Sequence, residues 1–545
     1  MNAVFRKARQ FLADPVLRSW AIGRLLGRWP GEPAYIAHRP PYLDGLLPLN
    51  AEVPGADFSQ LVDTPPTRPL ELSLAGETLT LEPGDEVDLF TRPFADIETT
   101  LALHRFAWLP LLGMDADPAW VGAIWRAWTI AHANPDDGWV WHPYTAAERA
   151  VNFLTFARVN GLPGPVEETL GVLAAHGPVI ARRLEYFGDH HTSNHLANNG
   201  RGLFLLGLYL GLPKCADMGG KILIQEAKRI FAPSGVLREG SSHYHALLTA
   251  NYGQCAVAAK KFERPEADTL AQVTARARAA TGALMLPGGF PLMGDISPDL
   301  PPKNVLAALP REVTGDAPDL SKDGWHRMDC GPWSGLWHVA PEGFSHMPGH
   351  GHQDCGSFEL HFKNEVVFVD PGRGAYGETG DAALYRSATV HNTLLVDGCD
   401  PYPPNKPYYS EAFRRHMGGP IPRVEQSSSA LSLFHDGFSR LAGVGTVNRH
   451  WQFTDTSMSL SDTVEGETRH RLSRILVTPL DVIPRDGFFE LRGHKQSFRL
   501  TCDGDVSVEP LTRWTAYGQG VPVTAIRLEL NAALPWRGKL SLEIC

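Results

Sequence analysis

The spacing of apolar residues changes once along this chain, and that change restricts the fold more than any other feature. From about residue 96 to 290, apolar residues recur every three or four positions, as in DIETTLALHRFAWLPLLGM and VEETLGVLAAHGPVIARRLEYF. This is the period of an amphipathic helix. After about Trp325, short runs such as GSFELHF and RHWQFTD alternate apolar and polar residues, as half-buried strands do. The sequence therefore predicts a helical part followed by a β part.

The connections between these segments predict how they pack. The helical segments are joined by short stretches with Pro, Gly, Asp or Asn, so successive helices should be antiparallel neighbours in a curved array or toroid. The turns between the alternating runs have the spacing of an antiparallel sandwich. Residues 1–95 are predicted to form an irregular N-terminal segment that wraps around the rest of the chain and begins with an amphipathic helix. Because 545 residues exceed what one core usually supports, we predict an α+β multidomain fold with domains 1–95, 96–325 and 326–545.

Charge and composition exclude several classes of protein. Fifty basic against sixty acidic residues give a formal charge of −10, which argues against a nucleic-acid partner held through phosphates but leaves room for a local basic groove. The N-terminus lacks the uninterrupted apolar core of a secretory signal, and the longest apolar run, residues 202–212, is too short to span a bilayer. We therefore predict no transmembrane segment. The compartment, cytoplasmic or periplasmic after removal of a signal, and the oligomeric state stay open.

Several common catalytic signatures are missing from the sequence. It contains no H-E-x-x-H, G-x-S-x-G or Walker loop, and its seven cysteines form no C-x-x-C pair. Gly372, Gly374 and Gly377 imitate a dinucleotide-binding fingerprint, but antiparallel strands rather than βαβ units are predicted to follow. These glycines are instead expected to shape a tight loop.

The segment DHHTSNHLANNGRGLF is unusually polar at the start of a predicted helix. Thr192 or Ser193 can cap that helix, which places Asn194 and His195 in its first turn and Asn199 one turn later. Asn is a poor helix former, so this grouping indicates polar side chains held toward a cleft. An extended capping arrangement with a polar surface is the open alternative.

A second polar group, REGSSHYH, stands at the entry to another predicted helix. It contains Glu239, Ser241 and the triplet His243, Tyr244 and His245. A phenol has a pKa near 10 and acts as a base only where neighbours lower it, so Tyr244 between two histidines is a candidate catalytic group. A simple capping box is the open alternative.

The stretch PGHGHQDCGSFEL contains two histidines just before a predicted strand. His352, Asp370 and His391 fall on three successive strand regions, and two imidazoles with one carboxylate suit zinc. His350 lies two residues before His352 and stays available for a substrate. The alternative, that these are unrelated core or loop residues, stays open.

Taken together, the motifs resemble those of the heparinase II/III family of polysaccharide lyases, which includes alginate and oligoalginate lyases. The resemblance spans most of residues 95–400 and implies an incomplete (α/α) toroid followed by an antiparallel β-sandwich. It also implies an enzyme that cleaves an acidic, uronate-containing poly- or oligosaccharide by β-elimination. The matching segments are WHPYTAAERAVNF, SNHLANNGRGL, REGSSHYH, HGHQDCGSFEL, FVDPGRGAYG and SATVHNTLLVDG.

The resemblance also implies roles for particular residues. Asn194 and His195 would contact and neutralise the uronate carboxylate, which stabilises the charge that develops when C5 loses its proton. Tyr244 and His350 would handle the proton that leaves C5 and the proton that reaches O4, with His245 as the second choice for Tyr244. The family's metal ligands match His352, Asp370 and His391, so a zinc ion with a mainly structural role is expected.

The residues that select the sugar are less constrained by the sequence. Candidate substrate contacts are Asn199, Trp141, Tyr144 and Arg149, and helix-start packing is the alternative for the last three. Two other functional classes stay open. One is a glycoside hydrolase on an α/α toroid, for which Asp136, Asp137 and Glu148 are the candidate carboxylates. The other is a non-catalytic protein that binds a uronate glycan.

Overall fold

The computed structural model describes residues 11–12, 14–30, 36–309, 317–340, 349–406 and 408–545. Helices dominate up to residue 308, and antiparallel strands dominate from residue 325 onward, which confirms the predicted change from helix to strand. The α-helices are α1 (Pro15–Leu25), α2 (Ile97–His104), α3 (Leu109–Leu112), α4 (Pro118–His132), α5 (Pro143–Asn160), α6 (Val166–Ala174), α7 (His176–Arg182), α8 (Asn194–Leu210), α9 (Pro213–Ile230), α10 (Ser242–Lys261), α11 (Ala267–Leu284), α12 (Pro302–Ala308), α13 (Gly380–Leu384) and α14 (Glu411–Gly418).

The central helices share one large apolar core. Trp125, Trp128 and Phe153 stack within it, with the rings of Trp125 and Phe153 3.9 Å apart. Helices α8 and α9 are joined by a two-residue turn and lie so close that a Cβ on Gly207 or Gly219 would meet the backbone of the other helix. The apolar run at residues 202–212 lies in and just after α8, and its helical part is buried as predicted.

The N-terminal part of the chain contains a hairpin that the sequence analysis did not predict. Strands β1 (Leu70–Leu74) and β2 (Glu77–Leu81) pair antiparallel through a two-residue turn. Helix α1 begins after Asp14, whose side chain accepts from the amides of Val16 and Leu17. The predicted N-terminal helix is present from residue 15, whereas residues 1–10 lie outside the described residues.

Helix α1 packs against a segment that is distant in sequence, the one around α14. Val16 is buried with Tyr409 and Phe413. The ring of Trp20 lies 4.7 Å from that of Tyr408. These contacts join the first helix to the strand-rich part of the chain.

Sixteen further strands form three antiparallel sheets. Their orders are β3-β4-β5-β6, β16-β17-β12-β7 and β13-β14-β15-β18-β11-β10-β9-β8. The strands are β3 (Trp325–Cys330), β4 (Trp333–His338), β5 (Ser357–Phe362), β6 (Glu365–Phe368), β7 (Leu394–Val396), β8 (Arg423–Gln426), β9 (Ala430–His435), β10 (Val444–Phe453), β11 (Ser457–Gly466), β12 (Arg469–Thr478), β13 (Asp481–Arg485), β14 (Phe488–Arg492), β15 (Ser497–Cys502), β16 (Asp505–Ala516), β17 (Gln519–Ala533) and β18 (Trp536–Ile544).

These sheets bury a common core between them. Trp337 and Phe358 on β4 and β5 lie against Trp451 on β10, with Phe358 and Trp451 5.7 Å apart. Along β10 and β11 buried and partly exposed residues alternate, as expected for strands with one face on a core. The sheets therefore pack face to face through the alternating pattern that the sequence shows.

Helices and sheets meet at a narrow junction. Tyr517, in the turn between β16 and β17, donates to Asp96 at the start of α2 over 2.8 Å and accepts from the amide of Tyr376 over 3.2 Å. Gly294 has φ +82°, and a Cβ there would lie 2.8 Å from the carbonyl oxygen of His350. The loops from both parts of the chain thus touch through their backbones.

No helix among the described residues has both the length and the apolar character needed to cross a bilayer. Cys215, Cys255 and Cys355 are buried, whereas Cys545 is exposed.

Candidate active site

The polar motifs come together where the first turns of α8 and α10 meet the loop before β5. Ser193 caps α8, its hydroxyl 3.5 Å from the amide of His195, and Ser241 caps α10 by accepting from the amide of Tyr244 over 3.1 Å. The sequence offered Thr192 or Ser193 as the cap of the first helix, and it left a capping box as the alternative for the segment that contains Ser241. Because a capped first turn has a fixed direction, the side chains of Asn194 and Tyr244 are held at the same junction.

Asn194 lies at the centre of this cluster. Its backbone amide and its side-chain Nδ2 donate to the two carboxylate oxygens of Glu239, each over 2.7 Å. Nδ2 also lies 3.4 Å from Nε2 of His350. Glu239 is buried and fixes the Asn194 amide in one orientation, so that its donor group faces the imidazole of His350.

The other ring nitrogen of His350 determines its tautomer. Nδ1 lies 3.0 Å from Oδ2 of Asp295. Burial acts to raise the pKa of Asp295, but hydrogen bonds from His350 and His352 and the nearby charge of Arg373 hold that pKa well below its usual range. An ionised carboxylate only accepts, so Nδ1 of His350 carries the hydrogen. In the neutral ring, Nε2 then presents its lone pair toward Asn194.

Tyr244 stacks on this imidazole. The two rings are 3.6 Å apart at their centroids and nearly parallel, at 7°. The Tyr244 hydroxyl lies 2.5 Å from the hydroxyl of Tyr376. Burial, assisted by the charges of Asp299 and Asp295, raises the pKa of Tyr244 well above its ordinary value. Tyr244 is therefore a neutral phenol, not the base of lowered pKa that was considered from the sequence.

The neighbouring histidines of Tyr244 point elsewhere. Nδ1 of His245 accepts from the amide of Leu237 over 3.1 Å, and Nε2 lies 3.1 Å from the carbonyl oxygen of Ala277. His245 is thus enclosed between α10 and α11. His243 accepts from the amide of Ser297 over 3.0 Å, and burial lowers its pKa to about 3. Of the three residues, Tyr244 is the one stacked on His350.

His195 has a different environment. Its Nδ1 lies 2.7 Å from Oε1 of Glu185, and its side chain is 43% exposed. Burial acts to lower the pKa of His195, but the charge of Glu185 and the hydrogen bond to it outweigh that effect, and the net change is upward. Glu185 therefore favours the charged form of His195, and Nε2 is the ring nitrogen that does not contact this carboxylate.

The predicted substrate contacts lie at different depths. Tyr144 is close to the centre: its ring is 4.6 Å from that of His195, and its hydroxyl donates to Asp299 over 2.6 Å. Asn199 is fully buried and donates to Glu185 over 3.0 Å, so it supports the partner of His195.

Trp141 and Arg149 are enclosed in the helical core. The guanidinium of Arg149 lies 4.8 Å from the Trp141 ring and donates to the carbonyl oxygens of His104 and Val140. Neither side chain has more than 1% of its surface exposed. The alternative considered from the sequence, helix-start packing, describes these two residues.

His352, Asp370 and His391 form a second, fully buried cluster beside the first. One ligand atom from each lies within 4.8 Å of the others. The residues stand in loops: His352 precedes β5, Asp370 follows β6 and His391 precedes β7. The prediction that they lie on strands was wrong in this detail, because His352 and His391 lie just before the strands that follow them and Asp370 lies just after β6.

The hydrogen bonds around this cluster fit a bound divalent metal. Nε2 of His352 lies 2.9 Å from Oδ1 of Asp295, whereas its Nδ1 is buried without a partner. Nε2 of His391 lies 3.0 Å from the carbonyl oxygen of Tyr385, and its Nδ1 lies 2.8 Å from Asp370. Metal-bound histidines typically donate their second N–H to such acceptors. The free lone pair of His352 and the paired atoms of His391 and Asp370 make a zinc-type donor set.

Asp295 joins the two clusters. One carboxylate oxygen contacts His350 and the other contacts His352, and Arg373 donates to it over 3.1 Å. The sequence analysis did not single out Asp295 or Glu185, because neither lies in a recognisable motif. Tyr376 and Glu239 lie inside segments that were noted, FVDPGRGAYG and REGSSHYH, but no role was assigned to either.

The carboxylates considered for a hydrolase do not face one another across this site. Glu148 is buried and pairs with Arg201 over 2.6 Å. Asp137 pairs with Arg182 over 3.1 Å at the surface. Asp136 accepts from the amide of Gly138 in its own loop.

Comparisons with known proteins show what the chain is similar to. Residues 312–531 match the family described as Heparinase II/III-like, C-terminal. No curated protein sequence matches the chain. The fold is similar to a crystal structure of heparinase III at 15% identity, with a TM-score of 0.62 over 83% of this chain and 78% of that one. The structure of a second heparinase III gene product, also 15% identical, has a TM-score of 0.57 over 98% of this chain and 91% of that one.

The crystal structure of a heparan sulfate lyase mutant from Pedobacter heparinus is 16% identical and has a TM-score of 0.55 over 83% of this chain and 78% of that one. At such identities the similarity concerns the fold, and it extends over both the helices and the sheets. The match over residues 312–531 makes the strand-rich part of the chain similar to the heparinase II/III-like family, in agreement with the resemblance predicted from the motifs.

Proposed function

We propose that the protein is a polysaccharide lyase that cleaves a uronate-containing glycan by β-elimination. The observation that carries this proposal is the meeting of Asn194, Tyr244 and His350. Nδ2 of Asn194 lies 3.4 Å from Nε2 of His350, and His350 stacks on Tyr244 at 3.6 Å. An amide donor, a phenol and an imidazole with a free lone pair are the groups that such an elimination requires.

The first requirement is a positive environment for the carboxylate of the sugar. The C5 proton of a uronate is very weakly acidic because its removal places a second negative charge next to the carboxylate. His195, kept charged by Glu185, would bind this carboxylate through Nε2, and Asn194 would donate to it from Nδ2. Donors fixed before the reaction stabilise the developing charge without reorganisation.

The second requirement is a pair of groups that move protons. His350 would take the C5 proton at Nε2, because Asp295 already holds the hydrogen of Nδ1. Tyr244, a neutral phenol, would donate its proton to O4 as the C4–O4 bond breaks. The electrons of the C5–H bond then form the C4=C5 double bond, and no water is consumed. This division gives the base role to His350 and the acid role to Tyr244.

The buried cluster would hold a structural ion. His352, Asp370 and His391 offer the donor set for zinc, which when bound would cross-link three loops of the sheet region. The residues themselves already connect these loops, through Asp370 to His391 and through His352 to Asp295. Their proposed contribution is to hold the loop that carries His350 in place.

The larger architecture belongs to the same proposal. We infer that helices α2 to α12 form the incomplete (α/α) toroid and that the three sheets form the sandwich, with domain divisions near residues 95 and 325. This inference is supported by the shared helical core and by the fold similarity to heparinase III structures. The substrate would bind where the helix starts meet the sheet loops.

Product analysis tests the reaction type directly. The enzyme should be incubated with alginate, heparan-type, hyaluronan-type and bacterial acidic exopolysaccharides, and ultraviolet absorbance and product masses should be recorded. A lyase produces an unsaturated sugar that absorbs ultraviolet light, and the masses of its products include no added water. Saturated products that contain solvent oxygen would identify a hydrolase, and binding without any change in glycan length would identify a non-catalytic binder. The heparan-type substrate is included because a heparan sulfate lyase shares the fold.

A further inference from the structure

A cavity of about 680 Å³ lies between the N-terminal segment and helix α7. Its apolar lining includes Leu47, Leu49 and Val179, and its polar lining includes Arg39 and Arg182. The volume is in the range of sites that enclose small ligands. Pyranose rings have apolar C–H faces and polar edges, so a lining of aliphatic side chains with charged groups at one side suits a sugar.

The charge of this cavity is opposite to that of the whole chain. Three arginines line it, Arg39, Arg182 and Arg183, and the lining contains no Asp or Glu. The nearest carboxylate that pairs with them is Asp137, 3.1 Å from Arg182 and 3.6 Å from Arg183. Among the described residues, no carboxylate pairs with Arg39. A local excess of positive charge in a chain of formal charge −10 favours an anionic ligand.

The cavity is next to the proposed active site. Leu184 lines it, and the following residue, Glu185, holds His195. Glu185 also lies 3.7 Å from His142. Burial and, to a smaller extent, the charges of His195 and Arg183 lower the pKa of His142, so Arg183 is within electrostatic range of this group.

An exposed aromatic ring lies in the loop that contributes to the cavity lining. Trp139 is 61% exposed, and its ring lies 5.3 Å from that of His142. The loop that carries it also carries Asp137, and its Pro135 lines the cavity. An exposed indole offers a flat apolar face on which a sugar ring can stack, so it can guide a glycan from His195 toward the cavity.

We propose that this arginine-lined cavity is a second subsite, which binds an anionic sugar residue of the same glycan chain that is cut at His350. The inference rests on the proposed function for the identity of the ligand. Arg182 and Arg183 would bind the carboxylate or sulfate group of that sugar, and Trp139 would support the residue between the two sites. The enzyme would then prefer longer oligosaccharides to disaccharides.

Binding measurements can separate the subsite from the reaction. In a Tyr244→Phe background, unsulfated heparosan and alginate di- and tetrasaccharides should be titrated by calorimetry, with sulfated heparan oligosaccharides as a parallel arm. We expect at least one tetrasaccharide to bind about tenfold more tightly than its disaccharide, as a charge-assisted contact supplies. The double change Arg182→Ala/Arg183→Ala should abolish that advantage. Both side chains reach the surface, so the fold should tolerate it.

The matched control is Arg126→Ala, which removes an arginine that pairs with the exposed Asp63 and should leave the length preference unchanged. Trp139→Ala should weaken binding of the tetrasaccharide and leave binding of the disaccharide unchanged. If the double variant loses affinity for unsulfated tetrasaccharides, the subsite binds a carboxylate. If it loses affinity only for sulfated tetrasaccharides, the subsite binds a sulfate group. Equal binding of both lengths, no binding of any tetrasaccharide, or a preference that survives the double change would overturn the subsite.

The same variants distinguish failure of the subsite from failure of the lyase assignment. If tetrasaccharide binding depends on the arginines but the wild-type enzyme forms no unsaturated product, the subsite stands and the lyase proposal is wrong. If unsaturated product forms at the same kcat/KM for both lengths in the wild type and in the Arg182→Ala/Arg183→Ala variant that retains Tyr244, the lyase stands and the subsite is wrong.

Discussion

His350 and His352 offer a matched pair of substitutions that tests the two roles assigned to this segment. The two rings contact opposite oxygens of Asp295, at 3.0 and 2.9 Å, so removal of either ring deletes one charge-assisted hydrogen bond to the same carboxylate. They differ in what remains: Nε2 of His350 faces Asn194, whereas Nδ1 of His352 faces Asp370 and His391. We expect His352→Ala to lose bound metal and His350→Ala to retain it.

The expected size of the thermal effect follows from binding linkage. A metal present at 100 times its Kd stabilises the native state by about 2.7 kcal/mol. If the sheet region unfolds alone, roughly 220 residues at about 2.1 cal/mol/K each have an unfolding entropy of about 0.46 kcal/mol/K, so metal should raise Tm by about 6 °C. If all 545 residues unfold together, the same calculation gives about 2.4 °C.

Metal content by mass spectrometry and Tm with and without a chelator provide the measurement. Addition of a chelator should lower the Tm of the wild type and of His350→Ala by about the same amount, and it should leave His352→Ala unchanged. This comparison separates metal binding from the cavity that any histidine truncation leaves. In parallel, His350→Ala should lower kcat by about 10²- to 10⁴-fold, the usual contribution of a general base.

Two results would refute the reasoning. If His350→Ala loses the metal while His352→Ala keeps it, the two histidines have exchanged roles. If the wild-type protein, purified without chelator and supplied with zinc, contains no metal and shows no change in Tm, the buried cluster is held by its hydrogen bonds alone and the structural ion is wrong.

Three further predictions concern the surroundings of the same site. Tyr376→Phe should lower kcat about fivefold with KM unchanged, because the lost hydrogen bond to Tyr244 is worth about 1 kcal/mol; an unchanged kcat in steady-state assays would contradict this. Glu185→Gln should shift the pH profile of kcat/KM: the raised pKa of His195 keeps that ring charged until the pH rises through it, so without the carboxylate the loss of activity should begin at lower pH, and a profile that does not move would exclude a charged His195. Gly294→Ala, at φ +82°, should reduce the free energy of unfolding by more than about 1 kcal/mol and lower activity, as measured by denaturant titration and initial rates, whereas the same change at the open, exposed Gly171 should cost far less.

The sequence predicts well those features that depend on local order. Ser193 was one of two recognisable candidate caps, and REGSSHYH was recognisable as the entry to a helix, so the side chains of Asn194 and Tyr244 could be assigned to helix starts. The alternating segments GSFELHF and RHWQFTD contain the strand β5 and the end of β10. These features are encoded within a few residues, and a pattern of that length is visible in one chain.

Features that depend on distant residues were not predictable. Asp295 lies in an irregular segment, and its importance comes from two histidines more than 50 residues away. The helical period could not decide whether Trp141 and Arg149 face the cleft or the core, because both faces of α5 are largely buried. Strands β16 and β17 were missed where Pro510 and Pro522 interrupt the alternation. Pro510 lies on β16, the edge strand of its sheet, and Pro522 lies outside the part of β17 that pairs with β12.

The contact between α1 and the segment around α14 affects how the chain folds during its synthesis. Val16 and Trp20 are made first, but their partners Tyr409 and Phe413 follow almost 400 positions later. During that interval the apolar side of α1 has no native surface to cover it. We expect an N-terminal fragment produced alone to expose this side and aggregate, and a C-terminal fragment to leave Tyr409 and Phe413 uncovered. Fragments for expression should therefore keep both ends of the chain.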